Sequence, residues 1–429
     1  MKNTHLPIGS SDPVSFKCTC PASESNDGLV LLFYRYFDAP PRLPTPNHGQ
    51  PGDTSSIAAF HATLTQTLGL GGKIRISKEG FNVTVGGTKD AVEKYMQECQ
   101  NHWSFAGLDL STADIRDQFF KPSPGGCACV FGGCPASVRV TSEITPMGVT
   151  NYTPAKWDGI ESLSPEDFHK KCHSDSEILL LDVRNHYESR IGYFVHPKTG
   201  EPALRPPIRR FSQWPQYVRK QISRCSELQE PATRRHIMTY CTGGIRCEKG
   251  ARFLQENVEQ RDGDKVCTLK GGIAAYLTWI DGEIAVGKKT SEDSLFRGRN
   301  YVFDARGSTG LNSGAATNPV SKCHVCGSLS DRLSKCRSTA CHLVLVVCDN
   351  CELGDPRCCH SCLESDTRVL SDAEIRESRP RPICACEKER EDGLWGPGCE
   401  RAPKSQGWRK AKKAGKVTTG ISIQVRTID

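Results

Sequence analysis

The loop at positions 241–247 contains the residues whose types and spacing best support chemistry: Cys-Thr-Gly-Gly-Ile-Arg-Cys. Its first residue, Cys241, follows a predicted parallel strand and precedes a predicted helix, where backbone N–H groups and the helix dipole favour an anion. Gly243 and Gly244 let the backbone point several amides at one sulfur, and Arg246 adds a positive charge. Because each feature lowers a thiol pKa from its free value of about 8.5, we predict a reactive Cys241 thiolate.

The second cysteine of the loop, Cys247, has two interpretations. It could be a resolving thiol that attacks a persulfide or sulfenate on Cys241, or it could simply pack in the interior. The alternative for Cys241 is a buried thiol without a catalytic role, and such a thiol would need neither the glycines nor the arginine. We predict that Cys241 and Arg246 are catalytic. The other members of the site loop are Thr242, Gly243, Gly244, Ile245 and Cys247.

Residues near the ends of two other predicted strands are expected at the same edge of the sheet. Asp182 and Arg184 end one strand, where they could orient the loop by charge-assisted hydrogen bonds or form a plain ion pair. His186 suits proton transfer near neutral pH, although its position is also typical of a solvated loop histidine, and Glu188 lies beside it. Lys270 follows the next strand and would line the same opening, where it could meet phosphate.

A block between positions 323 and 362 contains nine cysteines, mostly in closely spaced pairs. Two thiolates on a short turn can reach one tetrahedral zinc ion, so we predict a module that is folded by structural zinc, with two ions. The predicted ligands are Cys323, Cys326, Cys336, Cys341, Cys348, Cys351, Cys359 and Cys362.

The sequence leaves the pairing of these ligands open, because the pairs could share ions sequentially or in an interleaved order. One of Cys358 and Cys359 is expected not to be a ligand. The histidines that could replace a thiolate are His324, His342 and His360. Unligated or redox-active cysteine is the alternative to a zinc module.

The composition is that of a soluble protein: 429 residues, 37% hydrophobic and 24% charged, with a formal net charge of +7. The mildly basic charge permits an anionic partner such as RNA. No apolar stretch approaches the roughly 18 residues that a membrane span needs, and the start lacks an apolar signal core. We therefore expect a cytoplasmic protein with no membrane partner. The 23 cysteines then favour thiolate chemistry and metal ligation over disulfides.

The predicted elements divide the chain into three folded domains between two disordered tails. The first domain shows the β-α-β-β-α-β order of a ferredoxin-like (acylphosphatase-like) α+β fold, with Asp114–Phe120 as its fourth strand. The second alternates continuous apolar strands with helices, as in a parallel α/β sheet with helices on both faces. The third is the zinc module. The predicted tails are 1–27 and 366–429, and the domains are 28–150, 155–290 and 296–365.

The basic end of the chain has two interpretations. Lysines and arginines cluster at 409–416 beside Trp408 and could help to hold RNA. The alternative is a disordered, solvent-exposed tail that binds no RNA.

Three motifs together resemble the active-site frame of rhodanese domains. They are Leu180-Leu-Asp182-Val-Arg184, the loop Cys241–Arg246 and Leu269-Lys-Gly-Gly-Ile273. In rhodanese domains the loop cysteine cycles through a persulfide, so this frame implies sulfur transfer.

A wider set of motifs resembles one family within the rhodanese superfamily, the tRNA uridine hydroxylases. Asp182–Ser189, Tyr240–Lys249, Asn300–Asp304 and the cysteine block occur in that order, and Ser77–Asn82 is similar to the family's Asn-Glu-Ala-Gly-Ile-Asn stretch. The resemblance runs from about 29 to 362. It implies a ferredoxin-like domain before a rhodanese domain. It also implies oxygen-dependent formation of 5-hydroxyuridine at the wobble position, with the anticodon region of tRNA rather than DNA as partner.

The family's essential cysteine matches Cys241. Segments at 127–134 and 197–207 depart from the compact bacterial pattern and favour a eukaryotic-type member. Two other functions stay open. One is a thiosulfate sulfurtransferase that moves sulfane sulfur between a donor and an acceptor protein. The other is a non-catalytic rhodanese module that binds partners.

Overall fold

The computed structural model describes residues 27–37, 53–149, 152, 159–175, 177–220, 236–258, 264–311, 318–338, 341, 343–367 and 384–395. The predicted N-terminal tail, apart from its last residue, lies outside these ranges. So does the basic cluster at 409–416. Among the described residues, no helix is both long and apolar enough to span a bilayer.

The first domain is a five-stranded sheet with helices packed on it. Its strand order, β4-β1-β3-β2-β5, contains the antiparallel β4-β1-β3-β2 order of a ferredoxin-like fold, and β5 adds to β2 in parallel. The strands are β1 (Gly28–Tyr36), β2 (Gly71–Ser77), β3 (Gly80–Thr88), β4 (Ser123–Pro124) and β5 (Ser137–Val140). The helices are α1 (Thr54–Thr67), α2 (Lys89–Asn101) and α3 (Ala113–Phe120).

The predicted fourth strand is wrong, because Asp114–Phe120 forms α3. The Thr112 hydroxyl caps this helix by accepting a hydrogen bond from the Ile115 N–H at 3.3 Å. At the end of this helix, the centre of the Phe120 ring lies 4.8 Å from the centre of the Phe33 ring in the aromatic core. The helix therefore buries Phe120 as a strand would. The fourth strand is the much shorter β4, which follows α3 directly and pairs with β1.

The second domain has a parallel sheet with the strand order β6-β10-β9-β7 and a core on each face. This confirms the predicted α/β class, with helices on both faces. The strands in this part are β6 (Glu161–Leu163), β7 (Ile178–Asp182), β8 (Gly192–Phe194), β9 (His236–Tyr240) and β10 (Lys265–Leu269), of which β8 stands outside the sheet. The helices are α4 (Pro165–Ser174), α5 (Trp214–Lys220), α6 (Ile245–Asn257) and α7 (Gly272–Ala285).

The third domain consists of short strand pairs and short helices around cysteines. Its core combines buried cysteines with Leu343, Leu345 and Val347. The strands are β11 (Phe296–Gly298), β12 (Asn300–Tyr301), β13 (Ser308–Thr309), β14 (Leu333–Lys335) and β15 (Val344–Val346), and β11 pairs with β8. The helices are α8 (Asp349–Glu352), α9 (His360–Thr367) and α10 (Ala385–Trp395).

Helix α10 corrects the prediction of disorder throughout 366–429. The segment is charged, but two residues at its start are buried: Cys384 lies among the cysteines, and the Glu387 carboxylate pairs with Arg209 at 2.8 Å. Tertiary contacts therefore order a stretch whose composition alone indicates a solvated chain. Residues 366 and 367 of that predicted tail end α9, and residues 368–383 and 396–429 lie outside the described residues.

Candidate active site and metal centres

The cysteine loop sits at the carboxyl edge of the parallel sheet, between β9 and α6. Gly244 has a φ of 99°, a left-handed conformation in which a side chain would be strained. A Cβ on Gly272 would lie 2.4 Å from the carbonyl oxygen of Cys241. This close approach lets the Ile273 N–H donate to that carbonyl at 2.9 Å. The glycines thus fix the loop against the start of α7.

The sulfur of Cys241 is fully buried and accepts a hydrogen bond from the Gly244 N–H at 3.2 Å. Burial by itself raises the pKa of this thiol. The hydrogen bond from Cys247, the charge of Arg246 and the backbone N–H groups of both residues overcome burial and lower the pKa to about 6. At pH 7 the sulfur is therefore mainly thiolate.

Cys247 lies in the first turn of α6 and is fully buried. Burial raises the pKa of its thiol well above the ordinary value, and the adjacent Cys241 raises it further. Cys247 thus keeps its proton and donates it in a hydrogen bond to the Cys241 thiolate. A resolving role would require Cys247 to become a thiolate itself, whereas this geometry makes it a donor.

Arg246 is held by Glu188, whose carboxylate is fully buried. The two terminal nitrogens of the Arg246 guanidinium each donate to one oxygen of the Glu188 carboxylate at 2.6 Å. The Thr242 hydroxyl donates to the same carboxylate at 3.2 Å. Burial lowers the pKa of Arg246, but the charge of Glu188 raises it above the ordinary value. Glu188 is therefore the residue that fixes the loop's positive charge beside Cys241.

Asp182 and Arg184 form a buried ion pair of their own. The Arg184 guanidinium donates to both Asp182 carboxylate oxygens, at 2.7 and 2.9 Å, and to the Gly192 carbonyl at 2.6 Å. The guanidinium also lies 5.8 Å from the centre of the Tyr240 ring. Of the two interpretations from the sequence, these contacts favour the structural ion pair.

His186 and Lys270 differ in how far they reach toward the site. Burial and the positive charges of Arg190, Arg390 and Arg209 lower the pKa of His186 to about 2, so its ring stays neutral. Its side chain is only half-buried, but its Nε2 atom is buried and has no hydrogen-bond partner among the residues that the structure describes. Lys270 is exposed just beyond β10 and is close enough to influence Lys121 electrostatically.

The first domain covers the cysteine loop, a feature that the sequence analysis did not anticipate. A Cβ on Gly243 would lie 2.8 Å from the Leu32 side chain. The Tyr34 hydroxyl donates to the Glu248 carboxylate at 3.2 Å, and the Tyr36 hydroxyl donates to the Ile245 carbonyl at 3.3 Å. The available signal is the alternation in β1, where these tyrosines occupy the strand face opposite the domain's own core.

Lys121 is a second residue of the first domain that approaches the site. Its ammonium lies 5.5 Å from the centre of the Tyr34 ring and donates to the Phe119 carbonyl at 2.9 Å. Burial lowers the pKa of Lys121 to about 8; the Cys241 thiolate opposes this shift, and Lys270 adds to it. Lys121 is therefore a cation within electrostatic reach of the sulfur. No local motif in the sequence marks it.

Aromatic residues from the third domain lie near Arg246 and near Tyr187. The Phe303 ring lies 5.8 Å from the Arg246 guanidinium and is 48% exposed. Tyr301 packs on Tyr187, with ring centres 5.4 Å apart. The Asn300–Asp304 motif of the sequence thus borders the cysteine loop.

The Ser77–Asn82 motif reaches the second domain through its glutamate. The Lys249 ammonium, fully buried on α6, pairs with Glu79 at 2.8 Å and with Glu143 at 2.7 Å. Glu79 also accepts the Ile144 N–H at 2.7 Å. One lysine thereby ties two segments of the first domain to the helix that follows the cysteine loop.

The cysteine module gathers its thiols into groups that could hold metal ions. Cys323, Cys326, Cys348 and Cys351 form one group, and Cys336, Cys341, Cys358 and Cys362 form another. The two groups interleave along the chain, which is one of the two pairings left open by the sequence. A tetrahedral ion with metal–sulfur bonds of about 2.3 Å separates its sulfurs by about 3.8 Å. The 3.6 Å between Cys326 and Cys348 and between Cys341 and Cys358 fits that geometry.

Cys358, which the predicted ligand set omits, lies in the same candidate group as Cys336 and Cys341. Cys359, which the predicted set includes, lies in a third candidate group with Cys358, Cys362 and Cys384. The His324 ring is hydrogen-bonded to the Cys358 carbonyl at 2.9 Å, and His360 is paired with Glu364 at 3.0 Å. His342 lies outside the described residues. The groups therefore consist of cysteines.

Comparisons with known proteins cover all three domains. Residues 29–124 match the family model described as UPF0176 acylphosphatase like domain, 164–278 match the rhodanese-like domain, and 297–363 match the rhodanase C-terminal family. A tRNA uridine(34) hydroxylase of Chlamydia trachomatis is 27% identical over 344 residues, which is 78% of this chain and 92% of that protein. Over most of its length the chain is therefore similar to proteins named tRNA uridine(34) hydroxylase, and it carries a rhodanese-like domain between an acylphosphatase-like and a rhodanase C-terminal match.

Other proteins similar to this chain differ in length. A tRNA uridine(34) hydroxylase of Bacillus pumilus is 28% identical over 357 residues, covering 81% of this chain and 94% of that protein. Rhodanese-like domain-containing protein 6 of Arabidopsis thaliana is 28% identical over 345 residues, covering 78% of this chain. The aligned region is 52% of the plant protein, so this chain spans about half the length of that relative.

Proposed function

We propose that this chain is an oxygen-dependent tRNA hydroxylase that converts the wobble uridine to 5-hydroxyuridine, with Cys241 as its essential sulfur. The observation that carries the proposal is the Cys241 thiolate, whose pKa is lowered to about 6 at a loop enclosed by all three domains. Relatives that align over 78% and 81% of this chain carry the name tRNA uridine(34) hydroxylase. A nucleophilic, enclosed sulfur is suited to activating a pyrimidine or an oxygen species.

The surroundings of Cys241 offer contacts to an extruded nucleotide. The half-exposed ring of Phe303 can stack on a base, as aromatic side chains do in single-stranded RNA recognition. Lys121 and Lys270 provide positive charge for phosphate near the same loop. Because Cys241 has no exposed surface, a base reaches it only after Leu32 and Tyr34 move away from the loop.

The proposed reaction has further requirements. Transfer of one oxygen atom from O2 to uridine leaves the other atom to be reduced to water by two electrons and two protons, so a thiol-class reductant belongs in the assay. We assign structural zinc to the Cys323 group and to the Cys336 group, where the donors and distances fit. The substrate would be tRNA in the cytoplasm, with neither DNA nor membrane as partner.

Sulfur transfer is the second candidate. The Gly244 N–H and the Arg246 charge, which favour a thiolate, would also stabilise a Cys241 persulfide formed from a donor such as thiosulfate. Transfer of that sulfur to an acceptor thiol would complete the cycle, with a donor or acceptor protein as partner. A non-catalytic interaction module has less support, because binding alone gives no reason to lower the pKa of a buried cysteine.

The deciding experiment is nucleoside mass spectrometry of tRNA from cells that lack the protein, complemented with wild type or with Cys241→Ser. We expect 5-hydroxyuridine and its derivatives to disappear from the wobble position and to return only with wild type. Cys134→Ser, at an exposed cysteine outside the site, is the matched control and should restore the modification.

Two other outcomes would redirect the proposal. Unchanged wobble modification together with Cys241-dependent thiosulfate:cyanide activity would identify a sulfurtransferase. Full complementation by Cys241→Ser, with no thiol reactivity at position 241 near neutral pH, would leave the interaction module.

A further inference from the structure

Cys358 lies at the centre of a cluster of seven cysteines in the third domain. From its sulfur the distances are 3.3 Å to Cys362, 3.4 Å to Cys386, 3.6 Å to Cys341, 3.7 Å to Cys384 and 3.9 Å to Cys359. The seventh member, Cys336, accepts the backbone N–H of Cys358 at 3.4 Å through its sulfur. Four thiolates satisfy one tetrahedral ion, so this cluster holds more sulfur than one ion can use.

The geometry divides the cluster into two overlapping groups of four. Cys336 and Cys341 form the first group with Cys358 and Cys362, and Cys359 and Cys384 form the second with the same two residues. Within each group the sulfurs all lie within 4.8 Å of one another. Two tetrahedral ions that share two bridging thiolates need six cysteines in total, which is the number in the two groups combined.

Charge balance is compatible with two ions. Six thiolates with two divalent ions carry a net charge of about −2, the same as four thiolates with one divalent ion. The second ion therefore adds no net charge to a site in which Cys336, Cys358 and Cys362 are each at most 5% exposed.

We propose that this cluster is a binuclear metal–thiolate centre, in which Cys358 and Cys362 bridge two zinc-class ions. With the separate Cys323 group, the chain then binds three ions rather than the two that the sequence predicts. Each cysteine that binds loses its thiol proton and forms a metal–sulfur bond, with no change in oxidation state. Cys386, 3.5 Å from Cys384, supplies a further nearby sulfur.

The second ion joins α10 to the rest of the protein. Its ligand Cys384 caps the start of α10, beyond residue 363, where the match to the family's C-terminal model ends. The same helix pairs Glu387 with Arg209, which in turn donates to the Cys341 carbonyl at 2.6 Å. The binuclear centre therefore fixes α10. In the described part of the chain, this helix contacts both the third domain, through Cys384, and the second domain, through Arg209.

The test is the metal content of the full-length protein produced with zinc, measured by native mass spectrometry and by elemental analysis. Wild type should hold three zinc ions per chain, and Cys384→Ser and Cys359→Ser should each hold two. Cys134→Ser, at an exposed cysteine outside the groups, should keep three. After exchange into an NMR-active cadmium isotope, two of the three metal resonances should show scalar coupling through the bridging sulfurs.

The wild-type protein alone can overturn the proposal, so the result does not depend on whether a variant folds. Two ions in wild type would overturn the binuclear centre and would show that the extra cysteines are packed thiols. Three cadmium resonances without coupling between any pair would exclude shared thiolates. Neither result would contradict the proposed hydroxylation at Cys241, because that proposal does not depend on the number of metal ions.

Discussion

Replacing Cys247 with alanine tests whether its thiol sustains the Cys241 thiolate. In the structure the hydrogen bond from Cys247 is foremost among the interactions that offset burial and bring the pKa of Cys241 to about 6. A hydrogen bond to a charged group contributes about 1.5–3 kcal/mol, which corresponds to about 1–2 pKa units. We therefore expect the pKa of Cys241 to rise to about 7–8 in Cys247→Ala. In Cys247→Ser the hydroxyl still donates, so the pKa should stay near that of wild type.

The assay is the pH dependence of iodoacetamide labelling, read peptide by peptide in a mass spectrometer. Trypsin cleaves after Arg246, so Cys241 and Cys247 fall on different peptides and their labelling is measured separately. The labelling rate of Cys241 follows its thiolate fraction, and at pH 7 it should fall by about two- to tenfold in Cys247→Ala. Equal midpoints in wild type and Cys247→Ala, or a wild-type midpoint near 8.5, would refute the reasoning.

Glu188→Ala leaves the buried Arg246 unpaired and should cost about 3–5 kcal/mol of unfolding free energy; an unchanged thermal midpoint would contradict this. Lys121, with a pKa of about 8, loses its charge as pH rises through 8, so tRNA modification by wild type should decline there. Lys121→Arg should keep its rate to higher pH, and Lys121→Met should be about tenfold slower at pH 7; identical profiles would exclude a role for this cation. Burial lowers the pKa of His61 to about 3 from 6.5, so the stability that depends on its neutral ring is present above pH 6.5 and is lost as pH falls toward 3. In urea titrations, His61→Gln should reduce the pH slope of stability in that window by up to about 1.4 kcal/mol per unit, and an unaltered slope would be inconsistent with this.

The sequence determined the elements whose signals are local. The sequence places a parallel strand directly before Cys241, and the apolar run His236–Tyr240 forms that strand as β9. The cap of α2 is another local feature, because the Thr88 hydroxyl accepts the N–H of Ala91 three residues on. Cysteine spacing likewise indicated a metal-binding module before any contact was known.

Two elements differ from their predictions for different reasons. Asp114–Phe120 is predicted as the fourth strand, but the cap from nearby Thr112 and the packing of Phe120 in the aromatic core make it a helix. Helix α10 lies in a charged segment and is ordered by Cys384 and by the pairing of Glu387 with Arg209. The ordering of α10 could not be read from neighbouring residues, because Arg209 and the other clustered cysteines are distant along the chain.

The candidate site also combines features that are local in the sequence with features that depend on long-range contacts. The sequence by itself determined the reactive loop, since Cys241, its glycines and Arg246 lie within six consecutive residues. Only the tertiary structure decided that Glu188 fixes Arg246, that Tyr34 and Lys121 reach the loop from another domain, and that Cys384 joins the cysteine cluster. The physical reason is that hydrogen bonds, charge pairs and thiolate groups depend on distances in space, which sequence separation does not specify.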